Sequence, residues 1–329
     1  MVPCTSSEGR TCAAISSASR SRSSGRSGRA NVASNSDVGS TWRWYRSHPA
    51  PHDWPAQVSG PSVPRRGHRS ASIYGCVVPG THPFLDDGGP IAFAHRGGAG
   101  DWPENTMPAF AGAVALGYRY VETDAHLTAD GQVLAFHDDR LDRVTDRQGV
   151  IEDLPWSEVR LALVDGREPI PLLEELLTTW PDLRINIDPK HDAVVEPLAE
   201  LLRRLGATER VCIGSFSDRR IHRLEELLGP SLCTSLGPKA VARLRAASFG
   251  LGRRHPGGRC VQVPVSAGGV TLVDRRFIER AHDLDLDVHI WTIDEADEMH
   301  RLLDLGVDGI MTDRPRILRE VLTERGVWR

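Results

Sequence analysis

Residues 94–139 read AHRGGAGDWPENTMPAFAGAVALGYRYVETDAHLTADGQVLAFHDD. In order they give a β run ending at His95, a helical pattern over 107–116, a second β run over 120–127 and, after only Thr-Ala-Asp-Gly-Gln, a third over 133–136. Strand, helix and strand in this order make the unit from which parallel sheets are built, whereas the short last connection marks 133–136 as a hairpin partner of the second strand.

Working outward, the alternation continues. Apolar β runs are expected at 91–95, 120–127, 183–188, 211–216, 232–236, 260–264, 288–292 and 309–312. Helical patterns fall between them at 107–116, 172–179, 193–205, 219–228, 239–247, 275–284 and 295–305, with a last one at 316–324. Thr106 and Asp294 stand at N-cap positions, and Gly117, Gly206 and Gly306 stand where helices should stop. Eight strands alternating with eight helices predict a (β/α)8 TIM barrel, a fold that commonly uses about 250 residues as one domain. The hairpin after the second strand opens a short insertion running to about Pro171.

A barrel builds its site at the carboxyl ends of its strands. His95 ends the first strand, Glu122 and Asp124 lie in the second, Asp188 ends the third and His137 ends the hairpin, so all are expected on one face. Residues two apart on a strand project the same way, so Glu122 and Asp124 can share a hard cation. The same spacing also fits a plain solvated strand face. Asp188 tips the balance, because three carboxylates form the oxygen shell that Mg2+ or Ca2+ prefers. His95 and His137 flank the acids where an imidazole can exchange protons near neutral pH. Arg96 and Lys190 are placed to hold phosphate oxygens. Most of the 13 histidines, His191, His222 and His300 among them, need no function to explain them.

The chain up to residue 86 has another character. It holds ten arginines against four acids, long Ser/Gly/Pro stretches such as SSASRSRSSGRSGR and few aliphatic residues. Such a segment cannot bury enough apolar surface to offset the entropy of ordering, so residues 1–86 are expected to be a disordered tail and 87–329 the barrel. Only two of the 40 basic residues are lysines, a bias expected of GC-rich coding sequence, and a physiological start near Val77 or Val78 is the alternative to a true tail. Residues 87–329 keep 30 basic and 40 acidic residues, a net charge of about −10 that with no dense basic block argues against a nucleic-acid partner. No run of about 18 apolar residues is present, so no stable membrane insertion is expected. The stretch before Cys76 lacks the apolar segment of a secretory signal. Cys212, Cys233 and Cys260 fall in or beside buried strands without CxxC spacing, the ordinary use of cysteine as a small core residue in a reducing compartment, and the location expected is cytoplasmic.

The motifs HRGGAGDWPENTMPAF, ETDAHLTADGQVLAFHDD, INIDPK, IWTID and GVDGIMTDRP, in this order over 91–318, resemble the glycerophosphodiester phosphodiesterase family. The resemblance implies a metal-dependent barrel enzyme that hydrolyses small glycerophosphodiesters to glycerol 3-phosphate and an alcohol. It implies acid–base roles for His95 and His137, metal ligation by Glu122, Asp124 and Asp188, and phosphate binding by Arg96 and Lys190. It also brings in Glu104 of the PENT motif, either orienting His95 or Arg96 or ligating the metal, and Trp291 of the seventh strand, which with Trp102 would wall the pocket. The family's insertion after the second strand corresponds to about 136–171. Two departures stand out: the family most often has glutamate where this chain has Asp188, and Pro189 replaces an aliphatic residue. The nucleophile is either water or the substrate's own glycerol 2-hydroxyl. Two other functions are compatible with the motifs: lysophospholipase D activity, which needs an exposed apolar patch beside the site, and an inactive barrel that only binds phosphorylated ligands.

Overall fold

The computed structural model describes residues 82–85, 88–252 and 255–329. The expected tail, with Cys4, Cys12, Cys76 and the alternative start near Val77 or Val78, lies outside the described residues except for 82–85.

Among the described residues eight parallel strands form the main sheet: β1 (Ile91–Ala94), β2 (Tyr120–Leu127), β3 (Arg184–Pro189), β4 (Val211–Ile213), β5 (Cys233–Thr234), β6 (Cys260–Val263), β7 (Asp287–Ile290) and β8 (Gly309–Thr312). Each pairs with its neighbour in sequence except β5 with β6, and β8 returns to β1 with Ile91 opposite Gly309 and Ala94 opposite Thr312. Between β5 and β6 the ring is completed by a parallel bridge of Ser235 to Cys260 and by the Leu236 N–H donating to the Cys260 carbonyl at 2.9 Å. A helix follows every strand: α1 (Met107–Ala115), α2 (Leu173–Thr179), α3 (Val195–Arg204), α4 (Asp218–Leu228), α5 (Pro238–Ala247), α6 (Arg275–His282), α7 (Ala296–Leu305) and α8 (Pro315–Glu324). This is the (β/α)8 barrel that the alternation predicts.

Strand parity divides the core. Ala92, Ala94, Val121, Ile185, Ile187, Val211, Ile213, Val288, Ile290 and Ile310 face the helices in one apolar layer. The residues between them, Ile91, Phe93, Tyr120, Cys212, Cys233, Cys260 and Met311, fill the barrel interior. A strand covered on both faces must be apolar on both, which is why these runs read as continuous rather than alternating. The three cysteines are free and buried, as expected of small core residues.

The tail boundary expected at 86 needs correction. Phe84 is fully buried with Phe93 and Tyr120, its ring 5.4 Å from that of Tyr120, and its carbonyl accepts a 2.7 Å hydrogen bond from the Tyr120 hydroxyl. It closes the amino-terminal end of the barrel. A single Phe-Leu pair between Pro83 and Gly88 carries no periodicity, so nothing in the sequence marks it as core.

The hairpin strand Val133–Ala135 pairs antiparallel with β2, and the Ala135 N–H donates to the Pro171 carbonyl at 3.1 Å, closing the insertion at the expected residue. The insertion has its own small core of Leu134, Phe136, Leu141, Ile151, Val159, Ala162, Val164 and Ile170. A further hairpin, Ser266–Ala267 with Val270–Thr271, follows β6. Its Gly268-Gly269 turn has φ of +56° and +79°, conformations that glycine adopts without steric cost. Thr106 caps α1 as expected, its hydroxyl accepting from the Ala109 N–H. Asp294 does not cap α7. Glu295 occupies that position, and the Asp294 carboxylate instead accepts from the Thr312 hydroxyl at 2.9 Å and the Asp313 N–H at 2.8 Å.

Candidate active site

On β2 the inward-facing positions run Tyr120, Glu122, Asp124, so the strand climbs from the apolar floor to two carboxylates at the mouth, both buried. Asp188 lies directly across on β3, in register with Asp124. The Lys190 ammonium sits 2.7 Å from Asp124 Oδ1 and 2.8 Å from Asp188 Oδ2. Burial, followed by the Asp124 charge, pushes the Glu122 carboxyl up to about 7. Burial acts on Asp124 in the same sense, but Lys190 and Arg96 outweigh it and hold this carboxyl low. Asp188 is raised, chiefly by burial.

β1 delivers His95 and Arg96 through a sharp turn. Arg96 has a left-handed φ of +52°, which swings its N–H onto Glu122 Oε2 at 3.0 Å and its guanidinium toward Asp124, with Nε 3.3 Å from Oδ2. Gly97, at φ +81°, must be glycine twice over, because a Cβ there would stand 2.8 Å from the Ala109 Cβ. Asn105 donates through Nδ2 to Asp124 Oδ2 at 2.9 Å and accepts through Oδ1 from the Thr123 hydroxyl at 2.7 Å, which fixes the Asp124 carboxylate from behind.

The two histidines are held in the same manner. His95 Nδ1 hydrogen-bonds Asp313 Oδ1 at 2.6 Å and its Nε2 lies 3.7 Å from Glu122 Oε2. Burial alone would lower the His95 pKa, but Glu122 and Asp313 outweigh it and the net direction is upward. His137 Nδ1 hydrogen-bonds Asp138 Oδ1 at 2.6 Å. In both cases a carboxylate anchors Nδ1, so Nε2 is the ring atom left for chemistry.

Arg143, from the insertion, ties the histidine anchor to the arginine. It donates to both oxygens of Glu104 at 3.0 and 2.6 Å and to both oxygens of Asp138 at 2.5 and 3.0 Å, while Glu104 accepts from Arg96 at 3.0 Å. Glu104 thus accepts from both Arg96 and Arg143. Trp291 stands at the end of β7, half-buried, with its ring edge-to-face at 5.7 Å to Phe216, which is 72% exposed. Trp102 packs on α1, where a Cβ on Gly112 would fall 2.4 Å from its ring, and Arg316 lies over its face.

Sequence reading missed Asn105, Asp313 and Arg143 as neighbours of the site, and named Asp138 only as an aspartate beside His137. Asp313 follows β8 directly, and the rule that barrel chemistry sits at strand ends would have found it. Asn105 sits inside the PENT motif. Arg143 had no signal, because only the folding of the insertion brings it across to Glu104.

The barrel and its mouth, with imidazoles flanking buried carboxylates and two cations within reach, define a hydrolase of phosphoric diesters. The model of the glycerophosphoryl diester phosphodiesterase family matches residues 95–317. The probable glycerophosphodiester phosphodiesterase 2 of Mycobacterium tuberculosis is 43% identical over 255 residues, spanning 75% of this chain and 96% of its own. Human lysophospholipase D GDPD1 is 30% identical over 267 residues, spanning 70% of this chain and 85% of its own. A crystal structure of a putative glycerophosphoryl diester phosphodiesterase from Silicibacter pomeroyi superposes with a TM-score of 0.62 at 24% identity, covering 73% of this chain and 95% of that one. The chain belongs to the glycerophosphoryl diester phosphodiesterase family.

Proposed function

We propose that the barrel mouth hydrolyses small glycerophosphodiesters to glycerol 3-phosphate and an alcohol, with His95 and His137 as the acid–base pair and a divalent cation, Mg2+ or Ca2+, held by Glu122, Asp124 and Asp188. The observation that carries this reading is the pairing of two imidazoles, each anchored at Nδ1 by a carboxylate, around three carboxylates at one barrel end.

The donor set fits such a cation. It is all oxygen, and burial, followed by the Asp124 charge, pushes the Glu122 carboxyl up, a direction that a bound cation would oppose. When bound, the cation neutralises that charge and withdraws electron density from a phosphate oxygen. Arg96, steadied by Glu104, offers the guanidinium fork that matches a phosphate bidentately. Lys190 supplies a second positive charge at the mouth. One Nε2 takes the proton of the nucleophile, water or the glycerol 2-hydroxyl, and the other gives a proton to the departing alkoxide. Acid–base catalysis of this kind contributes about 10² to 10⁴ in rate.

Release of glycerol 3-phosphate from glycerophosphocholine, with and without EDTA, tests this reading; absence of release, or release unaffected by EDTA, overturns it. Lysophospholipase D activity is a second reading, supported by the exposed Phe216 ring against Trp291, an apolar wall beside the mouth. Release of choline from lysophosphatidylcholine at rates comparable to those from glycerophosphocholine would select it. No helix among the described residues is long and apolar enough to cross a membrane. We place the reaction in the cytoplasm, a reading supported by the three thiols packed unpaired in the core.

A further inference from the structure

Beyond the mouth, His126, Asp139 and His191 converge from three segments: the end of β2, the start of the insertion and the turn after β3. One donor atom from each lies within 4.8 Å of the others. His191 Nε2 is 3.0 Å and His126 Nε2 is 3.7 Å from Asp139 Oδ1. Ligands about 2.0–2.1 Å from a tetrahedral Zn2+ stand about 3.3 Å apart, and the two distances straddle that value. The other nitrogen of His191, Nδ1, lies 3.1 Å from Glu152 Oε1, which places a carboxylate charge behind the ring without a hydrogen bond of ordinary geometry.

A purely ionic reading of the cluster leaves one residue unexplained. His126 is fully buried, and neither ring nitrogen has a hydrogen-bond partner of ordinary geometry. An unpartnered buried polar group is destabilising, whereas the Asp139 side chain beside it is 72% exposed and opens the cluster to solvent. A cation bound there supplies the missing partner.

We propose that His126, His191 and Asp139 form a second metal site, distinct from the carboxylates at the mouth, that binds a borderline-soft divalent cation of the Zn2+ class. Two imidazoles and one carboxylate suit Zn2+, Co2+ or Ni2+ and disfavour Mg2+ and Ca2+, which take oxygen ligands. Bound there, the cation clips the insertion, through Asp139, to the residue that follows Lys190, so it braces two walls of the mouth.

Co2+ titration of the full chain in excess Mg2+, followed by visible absorption, tests this. One equivalent should give the intense bands of four-coordinate Co2+, displaced by Zn2+. Asp139→Asn and His191→Ala, both at partly exposed side chains, should lose that equivalent, and Glu152→Gln should weaken it by about 10-fold or more. Asp124→Asn, a change at the mouth that removes no ligand of this second site, should keep it. Absence of the bands, their survival in both Asp139→Asn and His191→Ala, or their loss in Asp124→Asn overturns the proposal.

Discussion

The Nδ1 of His95 lies 2.6 Å from Asp313 Oδ1, a contact that joins the end of the first barrel strand to the end of the last. Asp313 is itself held, since its N–H donates to Asp294 Oδ1 at 2.8 Å. A rigid carboxylate behind an imidazole fixes both the ring and the tautomer, so that the distal nitrogen can exchange a proton without first reorganising. His137 and Asp138 repeat the device at 2.6 Å.

His95→Ala and His137→Ala should each lower turnover by about 10² or more and leave KM within a few-fold, because acid–base groups act mainly on the transition state. Steady-state kinetics on glycerophosphocholine decides. Near-normal turnover in either variant would make that histidine structural.

Asp313 hydrogen-bonds His95 Nδ1, so on the proposed acid–base role of His95, Asp313→Asn should reduce turnover by roughly 10-fold, a part of the contribution made by an acid–base group, with KM little changed. Asp313→Glu should recover part of the loss. A rise in KM with turnover intact would mean that Asp313 shapes binding instead.

Phe84→Ala should destabilise the barrel by about 3–5 kcal/mol, the usual cost of emptying a fully buried phenylalanine position. Turnover of the folded fraction should be unchanged, since Phe84 lies at the opposite end from the carboxylates. Denaturant unfolding of full chain and variant measures this, and a change within about 0.5 kcal/mol would show that residues 82–85 are dispensable.

Much of this was legible because barrel strands, covered on both faces, advertise themselves as short apolar runs, and because Glu122 and Asp124 at spacing two must share a face. All eight strands and eight helices lie where the periodicity places them. What stayed hidden depends on contacts between distant segments. Phe84 is core only because Tyr120 and Phe93 meet it. Asp294 reads as a cap by position, yet the end of β8 offers its carboxylate two donors, and the helix begins without a side-chain cap. Arg143 joins Glu104 to Asp138 across 39 and 5 residues, and no local pattern encodes such a span. His191 looked ordinary for the same reason.

Far from the mouth, Asp287 at the start of β7 predicts a pH dependence. Burial, then the Asp308 charge, pushes its carboxyl up to about 7, against about 3.9 in an unfolded chain. The native state therefore holds a proton that the unfolded state releases. Stability from this source is fully present below about pH 4 and is lost as pH rises through about 7, by a few kcal/mol at most. Asp287→Asn should flatten that fall, being more stable than the parent at pH 8 and similar at pH 4. His282, 2.7 Å from Asp308 and raised by it, adds a decline of the same sign that begins above about pH 6.5 and survives in the variant. Parallel melting curves for parent and variant from pH 4 to 8 would refute the assignment.

The last prediction concerns the third carboxylate. Asp188 stands in register with Asp124 and shares Lys190 with it, so the two acids and one ammonium form a unit in which any added cation competes with Lys190. An all-oxygen set with an ammonium among its carboxylates should bind Mg2+ or Ca2+ weakly, and EDTA should therefore abolish activity that either ion restores. Binding should also raise the melting temperature, because the cation relieves repulsion between Glu122 and Asp124. Asp124→Asn should remove both effects. Asp188→Glu is the sharper variant: one added methylene extends the carboxylate further into the mouth, which should retain measurable activity and shift the ratio of Mg2+ to Ca2+ activation. Ca2+ accepts more ligands at longer distances than the octahedral Mg2+, so a change of reach at one ligand must alter the two unequally. Full activity in EDTA, or an unchanged ion preference together with unchanged cation affinity in Asp188→Glu, would remove Asp188 from the ligand set.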